Sequence, residues 1–238
     1  MKNILIIGDS SIVSKKLILF AEKKKFNTYS TFFTSKSNKR KNSFYLDLTN
    51  EKSINTFYLK VKKIKFDLVI ILSATQSRKN ITNYQKAEIY KVLKTNVLGV
   101  TLLINKIINC FKKNSTLIIM SSSSYLNGGY DAVYSISKSV LTTLSRSLSK
   151  HYGNKFKTIT LLPGLINGSN QVKKMKKERV LHHKKHTPVN KLLDANDIVK
   201  IIFDLSNDHW LSANGSEIKL RWWYFQGYVV YIVCIIEA

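Results

Sequence analysis

The feature that most constrains the fold is an alternation of short apolar runs with longer amphipathic stretches along 238 residues. The apolar runs predict buried strands at residues 3–7, 28–34, 43–46, 68–72, 116–120 and 158–162. The amphipathic stretches predict helices at residues 13–25, 51–63, 84–113, 134–152 and 195–207. Strands that alternate with helices form a parallel sheet covered on both faces. The sequence therefore predicts a single α/β domain with a doubly wound parallel sheet.

The formal net charge of +25 is of the size seen in proteins that bind nucleic acids. However, 34 lysines and only 5 arginines carry it, spread over nearly the whole chain. Contacts to phosphates and bases favour arginine, and Lys, Asn, Ile, Phe and Tyr all have A/T-rich codons. A biased genome therefore accounts for the charge, and nucleic-acid binding is disfavoured as a main function. The charge still favours anionic ligands.

The two cysteines, Cys110 and Cys234, are too few and too far apart for a disulfide framework or a zinc site. They predict a reducing compartment, and we expect the cytoplasm. The apolar run at residues 3–7 is too short for a signal peptide. No run approaches the roughly 20 apolar residues of a membrane span, so no membrane association is expected.

Tyr134 and Lys138 are four residues apart at the start of a predicted helix. This spacing puts both side chains on one helical face, one turn apart. An ammonium group there stabilises a phenolate and lowers the tyrosine pKa from its usual value of about 10. Such a tyrosine can donate a proton near neutral pH. The pair is common by chance, so its meaning depends on the residues around it.

Polar and glycine-containing segments follow several of the predicted strands, where ligands bind in a parallel sheet. These segments are residues 8–11 after the first strand, Asp47 and Leu48 after the third, residues 121–124 after the fifth, and Pro163 with Gly164 after the sixth. Gly8 opens a turn into a helix, which is the context of a phosphate-binding turn. Asn96 lies inside the fourth helix, where asparagine is a poor helix former.

In order and spacing, these segments resemble the short-chain dehydrogenase/reductase family over residues 1–220. The resemblance implies a Rossmann-like fold and an NAD(P)-dependent oxidoreductase that reduces a carbonyl or oxidises a secondary alcohol. It implies that Tyr134 exchanges a proton with the substrate oxygen. Lys138 would lower the pKa of Tyr134 and bind the nicotinamide ribose. A serine would polarise the carbonyl, and Asn96 would hold a proton-relaying water.

Two serines compete for the carbonyl-polarising role. Ser121 lies 13 residues before Tyr134, which is the commonest spacing in the family. Ser122 matches the second serine of the family's Ile-Ser-Ser strand end, and we favour it, with Ser121 as the alternative.

The cofactor site implied by the resemblance combines Tyr134 and Lys138 with residues from the strand ends. These are Gly8, Ser10, Ser11, Ile12, Lys36, Asp47, Leu48, Ser73, Ala74, Pro163 and Gly164. The turn departs from the family's Gly-x-x-x-Gly-x-Gly pattern, because Ile12 and Ser14 replace the second and third glycines. The family's asparagines are also missing at residues 71–74, and Gly168 replaces a threonine. A catalytically silent cofactor-binding or scaffold protein is therefore the alternative.

The choice between NADP and NAD turns on the end of the second strand. No acid stands there to bind ribose hydroxyls, and Lys36, Lys39 and Arg40 favour a 2′-phosphate, hence NADP. Asp9 in the turn opposes this preference.

Residues 168–187 correspond to the family's variable substrate lid and are strongly basic. Their lysines favour an anionic small-molecule substrate, such as a nucleotide sugar, or an acyl-carrier-protein thioester. His182, His183 and His186 lie there without an acidic partner, which predicts a solvated loop and not a metal site.

The family also pairs its fourth and fifth helices across subunits, which implies a homodimer or homotetramer. The apolar faces of residues 92–108 and 140–148 permit this pairing, although core packing would give the same pattern.

Residues 221–238 form an atypical apolar tail that begins with Arg221, Trp222 and Trp223. Family members typically end with a strand and Asp-Gly-Gly. Tryptophan has the single codon TGG, so an Arg221 codon ending in GA would read GAT-GGT-GGT, or Asp-Gly-Gly, in the shifted frame. One hypothesis is that the tail is the frameshifted end of an ancestral gene. The other is divergence into an apolar strand or an oligomer contact.

Overall fold

The computed structural model describes residues 1–34, 40–187, 189–225 and 228–236. The strands in these ranges are β1 (Asn3–Ile7), β2 (Asn27–Phe32), β3 (Ser43–Tyr45), β4 (Phe66–Ile71), β5 (Phe111–Met120), β6 (Phe156–Pro163), β7 (Glu217–Phe225) and β8 (Tyr228–Ile236). They form one sheet in the order β3-β2-β1-β4-β5-β6-β7-β8. Strands β1 to β7 pair in parallel, and β8 is antiparallel to β7. The predicted doubly wound parallel sheet is confirmed.

Helices cover both faces of this sheet. They are α1 (Ile12–Lys23), α2 (Glu51–Val61), α3 (Lys86–Leu93), α4 (Val100–Ile107), α5 (Ser124–Asn127), α6 (Ala132–Tyr152), α7 (Asn170–Lys173), α8 (Lys177–Lys185) and α9 (Ala195–Leu205). A π-helical segment (Lys94–Gly99) joins α3 to α4, and short 3-10 turns span Ile81–Asn83, Ile108–Cys110 and Asp208–Ala213. None of the helices in the described ranges is long and apolar enough to cross a membrane.

The strands are apolar runs because both faces of the sheet are covered. Successive side chains of β1 point to opposite faces, so Ile4 and Ile6 join one core cluster while Leu5 and Ile7 join the other. The first cluster packs under α1 and α9, and the second under α2, α4 and α6. Each fully buried leucine or isoleucine contributes about 1.5–3 kcal/mol. Two such layers hold the strand ends, and the polar residues that follow them, in fixed positions.

The helix predicted at residues 84–113 ends earlier than predicted, and in the structure it is interrupted in the middle. Helix α3 gives way to the π segment, α4 follows, and residues 111–113 already belong to β5. The break coincides with Gly99, where a Cβ atom would lie 2.1 Å from the carbonyl oxygen of Leu48. Apolar periodicity continued into the buried strand, so the boundary could not be seen in the pattern.

The prediction of a loop through residues 168–186 is also wrong, because α7 and α8 lie there. Helix α8 has no buried residue. It therefore lacks the apolar stripe by which an amphipathic helix is recognised in a sequence.

The tail continues the sheet: residues 221–225 extend β7, and residues 228–236 form β8 along it. The side chains of these residues lie outside the described part of the structure. The frameshift hypothesis therefore stays a prediction.

Candidate active site

Helix α6 carries the candidate acid–base pair, and Asp131 fixes where the helix begins. The Asp131 carboxylate accepts a hydrogen bond from the backbone N–H of Tyr134 at 2.9 Å, which caps the first turn. The same carboxylate accepts from the Tyr84 hydroxyl and, at 2.7 Å, from the backbone N–H of Arg78. One side chain thus joins the start of α6 to the loop that follows β4. Our sequence prediction did not include Asp131, although an aspartate before a helical pattern is a recognised helix-start signal.

Lys138 lies one turn below Tyr134, inside the protein. Its side chain is 2% exposed, and its Nζ donates to the carbonyl oxygen of Met120 at 2.8 Å. Nζ is 5.6 Å from the centre of the Tyr134 ring. The structure therefore brings the two predicted residues together on one face of α6. An ammonium has three donors, and a single carbonyl satisfies one of them.

The pKa values of this pair differ from the prediction. Burial lowers the pKa of Lys138 to about 7. Burial also raises the pKa of Tyr134, to about 12. The Ser122 hydroxyl lowers this pKa and the Asp131 carboxylate raises it, but both effects are smaller than that of burial. A lysine whose own charge is disfavoured gives little help to a phenolate. Desolvation therefore outweighs the attraction expected from the spacing.

The structure separates the two candidate serines. The hydroxyl of Ser121 is buried and donates to the backbone carbonyl of Lys138 at 2.8 Å. The hydroxyl of Ser122 instead lies close enough to the Tyr134 phenol to lower its pKa. It also accepts from the backbone N–H of Ser124 at 3.2 Å. Ser122 thus lies beside the candidate acid, while Ser121 ties α6 to the end of β5.

Asn96 lies in the π segment and is fully buried. Its amide nitrogen donates to the carbonyl oxygen of Thr75 at 2.8 Å and to the Ser137 hydroxyl at 2.9 Å. Its amide oxygen accepts from the N–H of Thr75 at 2.8 Å. Asn96 therefore ties the loop after β4 to α6, next to Lys138. The water relay through Asn96 stays a prediction.

The turn after β1 keeps the geometry of a phosphate-binding turn despite its lost glycines. Gly8 has φ 92°, and a Cβ there would lie 2.5 Å from the Ser73 hydroxyl. Ser11 caps α1 by accepting from the N–H of Ser14 at 3.0 Å, and the two hydroxyls lie 2.9 Å apart. The remaining N–H groups of the first turn of α1 face the carboxyl ends of the strands.

Ile12 replaces the second glycine of the family's turn with a branched side chain. Its Cδ1 would lie 3.9 Å from a Cβ atom at Gly168, so its side chain reaches from the turn to the loop after β6. The N–H groups of the turn fit the phosphates of NAD(P), and the unsatisfied donors of Lys138 fit its ribose. The Ile12 side chain narrows the space between the turn and Lys138.

The other predicted cofactor residues lie along the same edge of the sheet. The Asp47 carboxylate accepts from the N–H and from the hydroxyl of Thr49 at 2.8 Å each, and Asn50 caps α2. Leu48 packs on Gly99, Ser73 contacts Gly8, and Ala74 is exposed.

At the adenosine end of this edge, the buried Asp9 carboxylate accepts from the hydroxyls of Ser30 and Ser43 at 3.4 Å each. Lys36 and Lys39, predicted to favour a 2′-phosphate, lie outside the described residues. Arg40 is 4.0 Å from Glu22.

Tyr134 and Ser122 open into a cleft of about 820 Å³ between the strand ends and the lid. Pro163 and Gly164 line its floor, and Ser10 lies outside it on the turn. Cationic and imidazole side chains line the opposite side, namely Arg78, Lys174, Lys176, Arg179, His183, His186 and Lys191.

The lid histidines lie on the last turn of α8 and its end. The rings of His182 and His186 are 4.0 Å apart. Burial lowers the pKa of His183, and His182, Arg179 and His186 lower it further. No group of three metal-ligating side chains occurs within the described ranges.

A parallel sheet in the order 3-2-1-4-5-6-7, with a buried Tyr–Lys pair on the helix after β5, defines a dinucleotide-binding oxidoreductase. The family model described as Enoyl-(Acyl carrier protein) reductase matches residues 21–220, and the chain belongs to the short-chain dehydrogenase/reductase family. The match begins after the altered turn. No curated protein matches the chain in sequence.

Solved structures are similar to the chain in fold at low sequence identity. A short chain dehydrogenase family protein from Francisella tularensis subsp. tularensis SCHU S4 is 19% identical, with a TM-score of 0.82 over 92% of this chain and 96% of that one. A short-chain dehydrogenase/reductase (glucose/ribitol dehydrogenase) from Brucella melitensis is 16% identical, with a TM-score of 0.85 over 92% and 94%. BdcA in complex with NADPH is 14% identical, with a TM-score of 0.81 over 92% of each chain.

Proposed function

We propose that the protein is an NAD(P)-dependent reductase or dehydrogenase acting on a carbonyl or secondary alcohol. The observation that carries the proposal is that Tyr134 and Ser122 line one cleft, with the Nζ of the buried Lys138 5.6 Å from the centre of the Tyr134 ring. The cofactor would supply or accept the hydride, and the protein supplies orientation and acid–base chemistry. Gly8, Ser10, Ser11 and the N-terminus of α1 would hold the phosphates.

In this proposal, Ser122 donates a hydrogen bond to the substrate oxygen and stabilises its developing negative charge. Tyr134 then gives its phenolic proton to that oxygen, or takes one from an alcohol in the reverse direction. The charge of Lys138 controls how easily Tyr134 gives up this proton. Any hydroxyl or water that reaches its free N–H groups favours the ammonium, and the ammonium in turn lowers the pKa of Tyr134. Asn96 would position the water that supplies the next proton.

NADP remains the favoured cofactor, with NAD as the alternative. BdcA in complex with NADPH is among the similar structures, whereas Arg40 lies 4.0 Å from Glu22 in the last turn of α1, away from the carboxyl ends of the strands. Asp9 is buried near those ends and opposes a phosphate there.

The substrate would be anionic. Four cations, Lys174, Lys176, Arg179 and Lys191, line the lid side of the cleft, and the described lid contributes one acid, Glu178. A cleft lined by one sign of charge concentrates ligands of the opposite sign. A nucleotide sugar, another surface-polysaccharide precursor or an acyl-carrier-protein thioester would each meet this requirement.

The second candidate is a catalytically silent cofactor-binding or scaffold protein. The observation that favours it is the Ile12 side chain, which reaches Gly168 across the space that a dinucleotide would occupy. Cofactor binding alone does not distinguish the two candidates, because a silent protein can also bind the cofactor, so turnover has to be measured as well.

Titration with NADPH and NADH by fluorescence, followed by turnover on a panel of carbonyl compounds, tests the proposal. Micromolar binding with carbonyl-dependent oxidation supports the reductase, and binding without turnover supports the silent protein. Tyr134→Phe should lower turnover by about 10²–10⁴-fold and leave the NADPH affinity nearly unchanged. Retained turnover in this variant would exclude Tyr134 as the acid.

We also propose a homodimer or homotetramer in the cytoplasm. Most of the apolar face at residues 92–108 is used in the core, but Leu98, Ile136 and Val140 remain exposed on neighbouring segments. Light scattering of wild type and Ile136→Glu measures whether this patch joins subunits, and a monomeric wild type would refute it. The cytoplasmic location rests on the isolated cysteines.

A further inference from the structure

Arg78 is held in an unusual backbone conformation at the mouth of the cleft. Its φ is 59°, in the left-handed region that residues other than glycine adopt rarely. Its N–H donates at 2.7 Å to the Asp131 carboxylate, which also caps Tyr134. A strained conformation persists only where its surroundings fix it, and such residues concentrate at ligand sites. The position of Arg78 is thus fixed relative to the candidate acid.

The guanidinium group of Arg78 is fixed as well. With its amide oxygen facing Arg78, Gln76 accepts from Nε and from Nη2 at 3.2 Å each. Nη2 also donates to the carbonyl oxygen of Asn170, at the start of the lid, over 3.5 Å. These partners are neutral, and none of the ion pairs within 4.0 Å in the described part of the chain involves Arg78.

The half-buried Arg78 lines the same cleft as Tyr134 and Ser122. The contact to Asn170 is at the limit of a hydrogen bond. An oxyanion would replace it with a shorter, charge-assisted bond, and a planar carboxylate would match the fork with two parallel bonds.

We infer that Arg78 is the substrate-recognition residue of this site and that the group it binds is a carboxylate. The inference rests on the proposed function, and it narrows the substrate to a compound that carries a carbonyl group and a carboxylate. The lid lysines differ from Arg78 because they are exposed, so solvent and salt screen their charge. They attract anions in general, whereas Arg78 selects one by geometry.

The test compares 4-carboxybenzaldehyde with its uncharged methyl ester, methyl 4-formylbenzoate, which differs from the acid by one methyl group and the loss of the charge. Arg78→Gln should lower kcat/KM for the acid about 10- to 100-fold and change it for the ester less than about threefold. Arg78→Gly also removes the guanidinium, and glycine adopts this φ without strain. A loss seen in both variants therefore comes from the missing guanidinium and not from a folding defect. Lys177→Gln is the matched control, because Lys177 is exposed and does not line the cleft.

Equal losses on both aldehydes, or the same loss in the Lys177 variant, would overturn the inference. The proposed function is judged separately, on the wider panel of carbonyl compounds, so if the wild type reduces neither aldehyde, calorimetric titration with 4-carboxybenzaldehyde decides the inference. Binding that weakens at least tenfold in both Arg78 variants supports it. Binding that is absent from the wild type, or unchanged in the variants, refutes it.

Discussion

Replacing Lys138 with methionine should make the protein more stable at pH 7 and leave it equally stable or slightly less stable at pH 9.5. Burial lowers the lysine pKa from 10.5 to about 7, so the unfolded chain binds more protons than the folded one between these values. Wild-type stability therefore rises with pH across that window and is lowest below it. Methionine has a similar length and carries no charge, so the variant loses this pH dependence.

The size of the effect follows from the pKa shift. Each pKa unit corresponds to about 1.36 kcal/mol, so the buried lysine costs about 4 kcal/mol at pH 7 and about 1.4 kcal/mol at pH 9.5. The variant also leaves the carbonyl of Met120 without its donor, which costs about 1–3 kcal/mol at either pH. The expected net gain at pH 7 is about 1–3 kcal/mol, and the gain should fall by about 3 kcal/mol at pH 9.5.

Urea unfolding at the two pH values, without cofactor, measures these free energies. Lys150→Met is the control, because Lys150 is exposed on the same helix and its replacement should change stability little at either pH. The m-values should agree among the three proteins, which checks that they unfold alike. A stability difference between wild type and Lys138→Met that stays constant with pH would refute the reasoning.

Three further predictions concern the serines, the turn and the tail. Ser122→Ala should lower turnover about 10²–10³-fold with little loss of stability. Ser121→Ala should mainly destabilise the folded protein, by about 1 kcal/mol. Steady-state kinetics and thermal unfolding measure the two effects. Equal kinetic losses would contradict the assignment. Gly8→Ala should weaken NADPH binding and destabilise the protein by about 1–3 kcal/mol, because its φ is 92° and its Cβ would meet Ser73; an unchanged melting temperature would speak against this. Sequencing the gene should find an Arg221 codon of AGA or CGA, and any other arginine codon excludes the frameshift.

The sheet could be predicted from the sequence because its strands are buried on both faces. A strand such as β1 must then be a short, uninterrupted apolar run, and Asn3–Ile7 was located without error. The break in the fourth helix could not be predicted, because it depends on the contact between Gly99 and Leu48, which are far apart in the chain. The apolar periodicity of a segment reflects only residues that are close in the chain, so it cannot indicate such a contact.

Within the site, the spacing of Tyr134 and Lys138 was enough to predict that they lie together, because an α-helix fixes that geometry. Their pKa values were not predictable, since these depend on how much water reaches each group once the fold closes. Arg78 was missed for a related reason. Its importance comes from hydrogen bonds to Asp131 and Gln76, and only the folded chain brings Asp131 next to it.

The single carboxylate of Asp131 ties the substrate side of the molecule mechanically to its chemical centre. It holds the N–H of Arg78 with one oxygen, and the N–H of Tyr134 and the Tyr84 hydroxyl with the other. The loop therefore cannot swing outward without uncapping α6 and loosening the turn that carries Tyr134. Opening the cleft therefore also moves Tyr134 out of alignment, so the site is inactive while the cleft is partly open.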